Sequence, residues 1–172
     1  MTEQVVLVDE NNNELGVMEK LEAHEKGLLH RAFSILIFNS RNELLVTQRA
    51  ENKHTCAGLW SNTVCSHPRP KEDYLSACKR RLEMEMGFEC ELEKLFCFTY
   101  KVEFDNGLTE NEFDCVFTGR FDGKVKPNPK EVMAFKWVSV KELEKDVKKN
   151  PDKYTEWFKI ILGKLKEEQS LL

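Results

Sequence analysis

Ser-His-Pro-Arg-Pro-Lys-Glu-Asp-Tyr-Leu-Ser-Ala-Cys-Lys-Arg-Arg-Leu-Glu-Met-Glu-Met-Gly-Phe, residues 66–88, is the stretch on which the fold turns. Leu75, Cys78, Leu82 and Met86 recur at intervals of three and four, so the spacing predicts a helix over 71–86 with one apolar stripe, ended by Gly87. The other positions are heavily charged. On periodicity alone, Arg80, Arg81, Glu83 and Glu85 are no more than the wet face of that helix. Just upstream, Cys65-Ser66-His67-Pro68 sets a cysteine two residues before one of only four histidines. Such a pair can be a metal site, a nucleophile beside its base, or an accident of core packing.

Working outward, the flanks read mostly as strands. Val5–Val8 is a strand, followed by the turn-rich Asp9–Asn13 and a second strand near Leu15–Met18. Phe33–Phe38 and Leu44–Thr47 are separated by Asn39-Ser40-Arg41-Asn42, as in a hairpin. Downstream of the helix, Phe96, Phe98, Tyr100, Val102 and Phe104 alternate with polar or small residues, which predicts a strand packed on one face. Asp105-Asn106-Gly107 is a strong turn and Glu112–Phe117 the returning strand. A further strand ends at Trp137-Val138. Ser139 then caps a helix with Glu142 at the capping-box position, and a last amphipathic helix covers Tyr154–Lys166. The order predicts an α+β fold, a mixed, mostly antiparallel sheet with helices packed against it. With no repeat, low-complexity segment or linker, the whole of 1–172 reads as one domain.

Composition narrows the function. The formal charge of −4 and a pI near 5.7 speak against a nucleic-acid partner, although 26 Lys and Arg leave room for a local basic pocket. No apolar run approaches the ~20 residues of a membrane span. The start, MTEQVVLVDE, is acidic where a secretion signal is basic. The six cysteines (56, 65, 78, 90, 97 and 115) are scattered without a Cys-x-x-Cys pair, so they read as free thiols in a reducing compartment, with the cytoplasm as the default location.

Three histidines, His24, His30 and His67, and the pair Glu110 and Glu112, which point the same way on a strand, make a coherent ligand set for a divalent ion. One at a time, each is an ordinary histidine or a solvated carboxylate, and Cys65 alone is a small core residue. Their joint appearance with the charged helix changes the weighting.

From Ser66 the spacing of Glu72, Arg80, Arg81, Leu82, Glu85, Gly87 and Phe88 resembles the Nudix box, Gly-x5-Glu-x7-Arg-Glu-Ψ-x-Glu-Glu-x-Gly-Ψ, with Ψ a bulky apolar residue. Ser66 stands for the first glycine, Arg81 for the glutamate after the first arginine, and Met84 for one of the paired glutamates. Losing those carboxylates argues against cleaving a pyrophosphate while leaving the capacity to bind one. The motif series runs through Lys20 with Glu22-Ala23-His24, then Leu29–Ser34 and Leu44–Ala50. Gly58–Pro68 and Glu110-Asn111-Glu112 complete it, and the chain is thereby identified as similar to the type I isopentenyl-diphosphate isomerases, a branch of the Nudix fold. Ala57 departs from the proline usual in the Pro-Gly-x-Trp turn.

The resemblance implies conversion of isopentenyl diphosphate to dimethylallyl diphosphate through a tertiary carbocation. It implies Cys65 and Glu112 as catalytic groups on opposite faces of the substrate, with Tyr100 hydrogen-bonded to Glu112. His24, His30, His67, Glu110 and Glu112 would hold one Mn²⁺, Mg²⁺ or Zn²⁺, and Glu85 a Mg²⁺ bound with the diphosphate. Lys20, Arg49, Lys53 and Arg81 would contact the diphosphate, and Trp157 would cover the hydrocarbon end. The expected partner is this small diphosphate, with no nucleic acid or membrane, and the protein a monomer or weak homodimer. The rivals are a Nudix hydrolase of a nucleoside diphosphate derivative and a metal-stabilised binding module. A zinc deaminase lacks its Pro-Cys-x-x-Cys here.

Overall fold

The computed structural model describes residues 2–170. In chain order the elements are β1 (Gln4–Val8), β2 (Glu14–Glu19), α1 (Lys20–Lys26), β3 (His30–Phe38), β4 (Glu43–Arg49), β5 (Trp60–Ser61), β6 (Val64–Ser66) and α2 (Tyr74–Met86). They continue with β7 (Leu92–Glu103), β8 (Thr109–Arg120), β9 (Val132–Ser139), α3 (Val140–Lys149), a 3₁₀ turn (Pro151–Lys153) and α4 (Glu156–Ser170). All nine strands join one mixed sheet, so the expected α+β class holds.

β3 is the hub of the sheet. It pairs antiparallel with β1, β4 and β6 and, in parallel, with β8 from His30↔Glu112 to Phe38↔Arg120. β7 closes antiparallel on β8, and β9 on β4. β3 reads as an almost unbroken apolar run because it is covered on both faces. One face packs Phe33, Ile35 and Ile37 against Ala77, Cys78, Leu82 and Met86 of α2. The other packs Leu36, Leu44 and Val46 against Leu143 of α3 and Trp157, Phe158, Ile161 and Leu165 of α4. Each full apolar side chain so buried contributes about 1.5–3 kcal/mol against solvent exposure.

Several boundaries shift for visible reasons. The predicted 71–86 helix begins three residues late, at Tyr74: Lys71 has φ +65°, and Asp73 accepts a hydrogen bond from the Ser76 N–H as N-cap. Leu75 is therefore 44% exposed, and the buried stripe runs through Ala77, Cys78, Leu82, Glu85 and Met86. Gly87 does end the helix, at φ +75°, and a Cβ there would lie 2.7 Å from the Lys126 carbonyl oxygen. β3 and β4 touch only at Phe38↔Leu44 before diverging, which lets β6 pair with β3 and β9 with β4.

The expectation of six free thiols is corrected by a Cys97–Cys115 disulfide. Its cause is register: the two residues are direct partners across β7 and β8, 18 residues apart along the chain. Cys56, Cys65, Cys78 and Cys90 are free. A bridge closing a loop of this size stabilises a fold by about 3 kcal/mol, chiefly through the unfolded chain. Urea unfolding with and without reductant should show a loss of about that size. Superimposable curves would contradict the bridge.

Candidate active site

β7, β8 and β3 lay Tyr100, Glu112 and His30 side by side as cross-strand neighbours. Side chains that face each other across adjacent strands lie on the same side of the sheet, so the three converge. His24 arrives from α1, a seven-residue helix between the Glu19 cap and Gly27 at φ +63°. His67 follows directly on β6, whose Cys65 is the partner of Ser34 on β3. Five elements, drawn from three separate stretches of the sequence, thus meet at one place.

Among the described residues, His24, His30, His67 and Glu112 each offer a ligand atom, all within 4.8 Å of one another and all buried. Glu112 Oε1 is 3.0 Å from His67 Nε2, 3.5 Å from His30 Nε2 and 4.0 Å from His24 Nε2. His24 and His30 direct Nδ1 to the carbonyls of Lys20 (2.7 Å) and Leu28 (2.8 Å). A carbonyl only accepts, so those rings carry their proton on Nδ1 and turn an Nε2 lone pair inward. His30 Nε2 is buried without a hydrogen-bond partner. Burial pushes the His24 imidazole down and that of His67 down to about 4, keeping both rings neutral. Burial would raise the Glu112 carboxyl, yet the hydrogen bond with His67 Nε2 holds it well below the usual carboxylate range. Neutral imidazoles and a carboxylate aimed at one point, with an orphaned nitrogen among them, are the donor set a divalent cation satisfies.

Glu110, the fifth residue of the expected set, is not among these four. It stands beside the four donors, but its oxygens accept from Thr55 Oγ1 (2.8 Å) and from Tyr100 (3.0 Å). Tyr100 is also placed 2.6 Å from Glu112 Oε2, so one phenol lies between two carboxylates. Burial and the charge of Glu112 push Glu110 up to about 7.

These groups open on a cavity of about 390 Å³. Lys20, His24, Arg49, Lys53, Cys65, His67, Arg81, Tyr100, Glu110, Glu112 and Trp157 all line it. His30 lies behind the wall, fully buried. Glu85 lines a small adjoining recess that shares Arg49, Lys53 and Cys65 with the cavity. The Arg49 guanidinium is 3.5 Å from Cys65 Sγ and lies over the Trp157 ring at 5.2 Å. Trp157 is fixed by a hydrogen bond from Nε1 to Asn62 Oδ1 (3.1 Å). Burial pushes the Cys65 thiol up to about 12, against the pull of Arg49, so it keeps its proton at neutral pH.

The pattern of a NUDIX domain matches residues 28–158. An isopentenyl-diphosphate Delta-isomerase 2 of Aromatoleum aromaticum is 47% identical over 171 residues, spanning 99% of this chain and 90% of that relative. Another of the same bacterium, isopentenyl-diphosphate Delta-isomerase 1, is 49% identical, spanning 96% of this chain and 93% of the relative. An isopentenyl-diphosphate Delta-isomerase of Pectobacterium atrosepticum is 48% identical, over 94% of this chain and 90% of the relative. The chain belongs to the isopentenyl-diphosphate Delta-isomerase family, within the Nudix fold.

Solved structures extend the fold beyond the isomerase family. A Deinococcus radiodurans protein matches with a TM-score of 0.72 at 20% identity, covering 86% of this chain and 90% of its own. A MutT protein from Methanosarcina mazei matches with a TM-score of 0.66 at 22% identity, covering 82% and 95%. The two remaining box carboxylates, Glu72 and Glu85, stand in different settings. Glu72 is clamped by Arg80 through two hydrogen bonds of 2.8 Å and accepts from the Arg69 N–H, so it ties the loop to α2. Glu85 alone remains from the box in the wall around the cavity.

Among the wall residues that the sequence reading does not single out is Glu131. It lines both the cavity and the recess, and its carboxylate meets Lys53 and Arg81. It lies outside every motif, just before β9, and no local pattern marks it.

Proposed function

We propose that this protein converts isopentenyl diphosphate to dimethylallyl diphosphate in isoprenoid biosynthesis. The reaction adds a proton at the terminal alkene carbon and removes one from the carbon nearer the diphosphate. An unactivated alkene is a very weak base, so protonation makes a tertiary carbocation of high energy. The site must supply an acid in a dry pocket and stabilise positive charge without offering it a nucleophile.

Cys65 and Glu112 are the acid–base pair, one delivering a proton and the other accepting one, with their roles exchanged in the reverse direction. The observation that carries this reading is that a protonated thiol and a carboxylate fixed among imidazoles line the same cavity. Tyr100, donating to Glu112, holds that carboxylate's orientation. The Trp157 ring offers a π face to the cation, an interaction worth about 2 kcal/mol in a desolvated site. His24, His30, His67 and Glu112, with Glu110 as fifth ligand, would hold a divalent ion, Mn²⁺, Mg²⁺ or Zn²⁺. Such an ion supplies charge that fixes the carboxylate and alters its proton affinity. Lys20, Arg49, Lys53 and Arg81 receive the diphosphate, and Glu85 holds the Mg²⁺ that accompanies it. The protein acts in the cytoplasm as a monomer or weak homodimer, without nucleic acid or membrane.

Hydrolysis of a nucleoside diphosphate derivative is disfavoured because a Nudix hydrolase needs a carboxylate cluster to gather metal and activate water, and here Glu72 is committed to Arg80. The test is incubation with isopentenyl diphosphate and Mg²⁺ followed by acid. Allylic diphosphates hydrolyse in acid whereas homoallylic ones resist, so acid-labile product is expected. Its absence from metal-replete protein would overturn the assignment.

A further inference from the structure

Lys53, Glu131, Arg81 and Glu85 form a chain of alternating charge in the wall around the cavity. Lys53 Nζ donates to Glu131 Oε2, Arg81 lies 3.5 Å from Glu131 Oε1, and Arg81 Nε donates to Glu85 Oε1 at 2.9 Å. In that order the side chains are 24%, 20%, 13% and 8% exposed, so solvent screens these pairs only in part. The Glu131 backbone is held independently: its carbonyl accepts from the Ala50 N–H (3.1 Å) and its N–H donates to Asn128 (2.9 Å). Its side chain is therefore free to leave without unravelling the loop. Both carboxylate oxygens are spent on cations that face the cavity.

We propose that Glu131 is a built-in stand-in for the diphosphate, and that its displacement makes binding conditional on a divalent cation. This inference rests on the reading of the cavity as a diphosphate site. Two positive and two negative groups leave the chain neutral, so Lys53 and Arg81 present no net charge to an incoming anion. A bare diphosphate must expel the Glu131 carboxylate from both donors. The expelled carboxylate, having lost both its cation partners, then stands beside Glu85 and the new anion, and like charges in a half-buried site repel strongly. A diphosphate that arrives with a divalent cation brings the missing positive charge, which Glu85 and the released Glu131 can face together. Glu131 thus acts as a specificity residue: it rejects small bare anions and admits the cation complex.

Titration calorimetry of the intact protein, carrying its resident metal, with inorganic pyrophosphate tests this. Buffers free of divalent cations are compared with buffers containing Mg²⁺, for wild type and Glu131→Gln. Wild type should bind pyrophosphate at least about tenfold more tightly with Mg²⁺, and the variant should lose most of that ratio by gaining affinity in its absence. A purely structural role for Glu131 would lower the melting temperature and weaken binding under both conditions, leaving the ratio intact, and that result would overturn the inference alone. If wild type failed to bind pyrophosphate under either condition, the diphosphate reading of the cavity would fall with it.

Discussion

Cys65→Ala is expected to lower kcat for isomerisation by at least about 10³-fold, near the upper range for removal of a general acid–base group. The effect should be this large because no other free thiol lines the cavity. Arg49, 3.5 Å from its Sγ, has no proton to give at neutral pH. Glu112→Gln should fall as far, since the amide keeps the shape but can neither take up a proton nor bear the charge that the surrounding imidazoles face. Cys65 packs only at the margin of one core, so Cys65→Ala should melt near the wild-type temperature, whereas Glu112→Gln also removes a proposed metal ligand and should melt lower. Steady-state rates with isopentenyl diphosphate decide the matter, and turnover within tenfold of wild type in either variant would contradict the assignment.

The second large effect concerns the imidazole cluster. Exhaustive chelation should abolish activity and lower the melting temperature, and one equivalent of Mn²⁺ or Zn²⁺ should restore both. A ligand at a hundred times its Kd stabilises a fold by about 2.7 kcal/mol, so the thermal shift should be readily visible. His67→Ala should bring the metal content measured by elemental analysis well below one per chain. His67 is the ring nearest Glu112 Oε1, and its loss opens the cluster to water. Full activity after chelation, with no metal detected, would exclude a metal-dependent site.

Local pattern made the β7–β8 hairpin legible. The alternation through Phe98 and Tyr100 and the Asp105-Asn106-Gly107 turn describe a ribbon with one packed face, and Gly107 takes φ +84° as that turn requires. The same information was silent about partners. That Cys97 meets Cys115, or that His30 lies beside Glu112 in a parallel pair, is a matter of register between distant segments. The histidines and glutamates form a ligand set by residue chemistry, and motif resemblance gives them their roles, since it carries three-dimensional proximity that periodicity does not. Resemblance also placed Glu110 in the ligand set, and here its oxygens accept from Thr55 and Tyr100.

Short elements were the other loss. α1 has only seven residues and too few turns for a 3.6-residue stripe, so its Glu19 cap and Gly27 terminus were passed over even though they deliver His24. Glu131 went unseen because its role arises only when the loop before β9 folds over Lys53 and Arg81.

The account stands on proton exchange at carbon within this cavity. NMR of isopentenyl diphosphate incubated with the metal-replete protein in D₂O tests it most directly. The predicted result is dimethylallyl diphosphate carrying deuterium in the methyl group formed from the terminal alkene carbon, with the diphosphate intact. Release of phosphate or pyrophosphate with the double bond unmoved, or no deuterium at carbon, would contradict it.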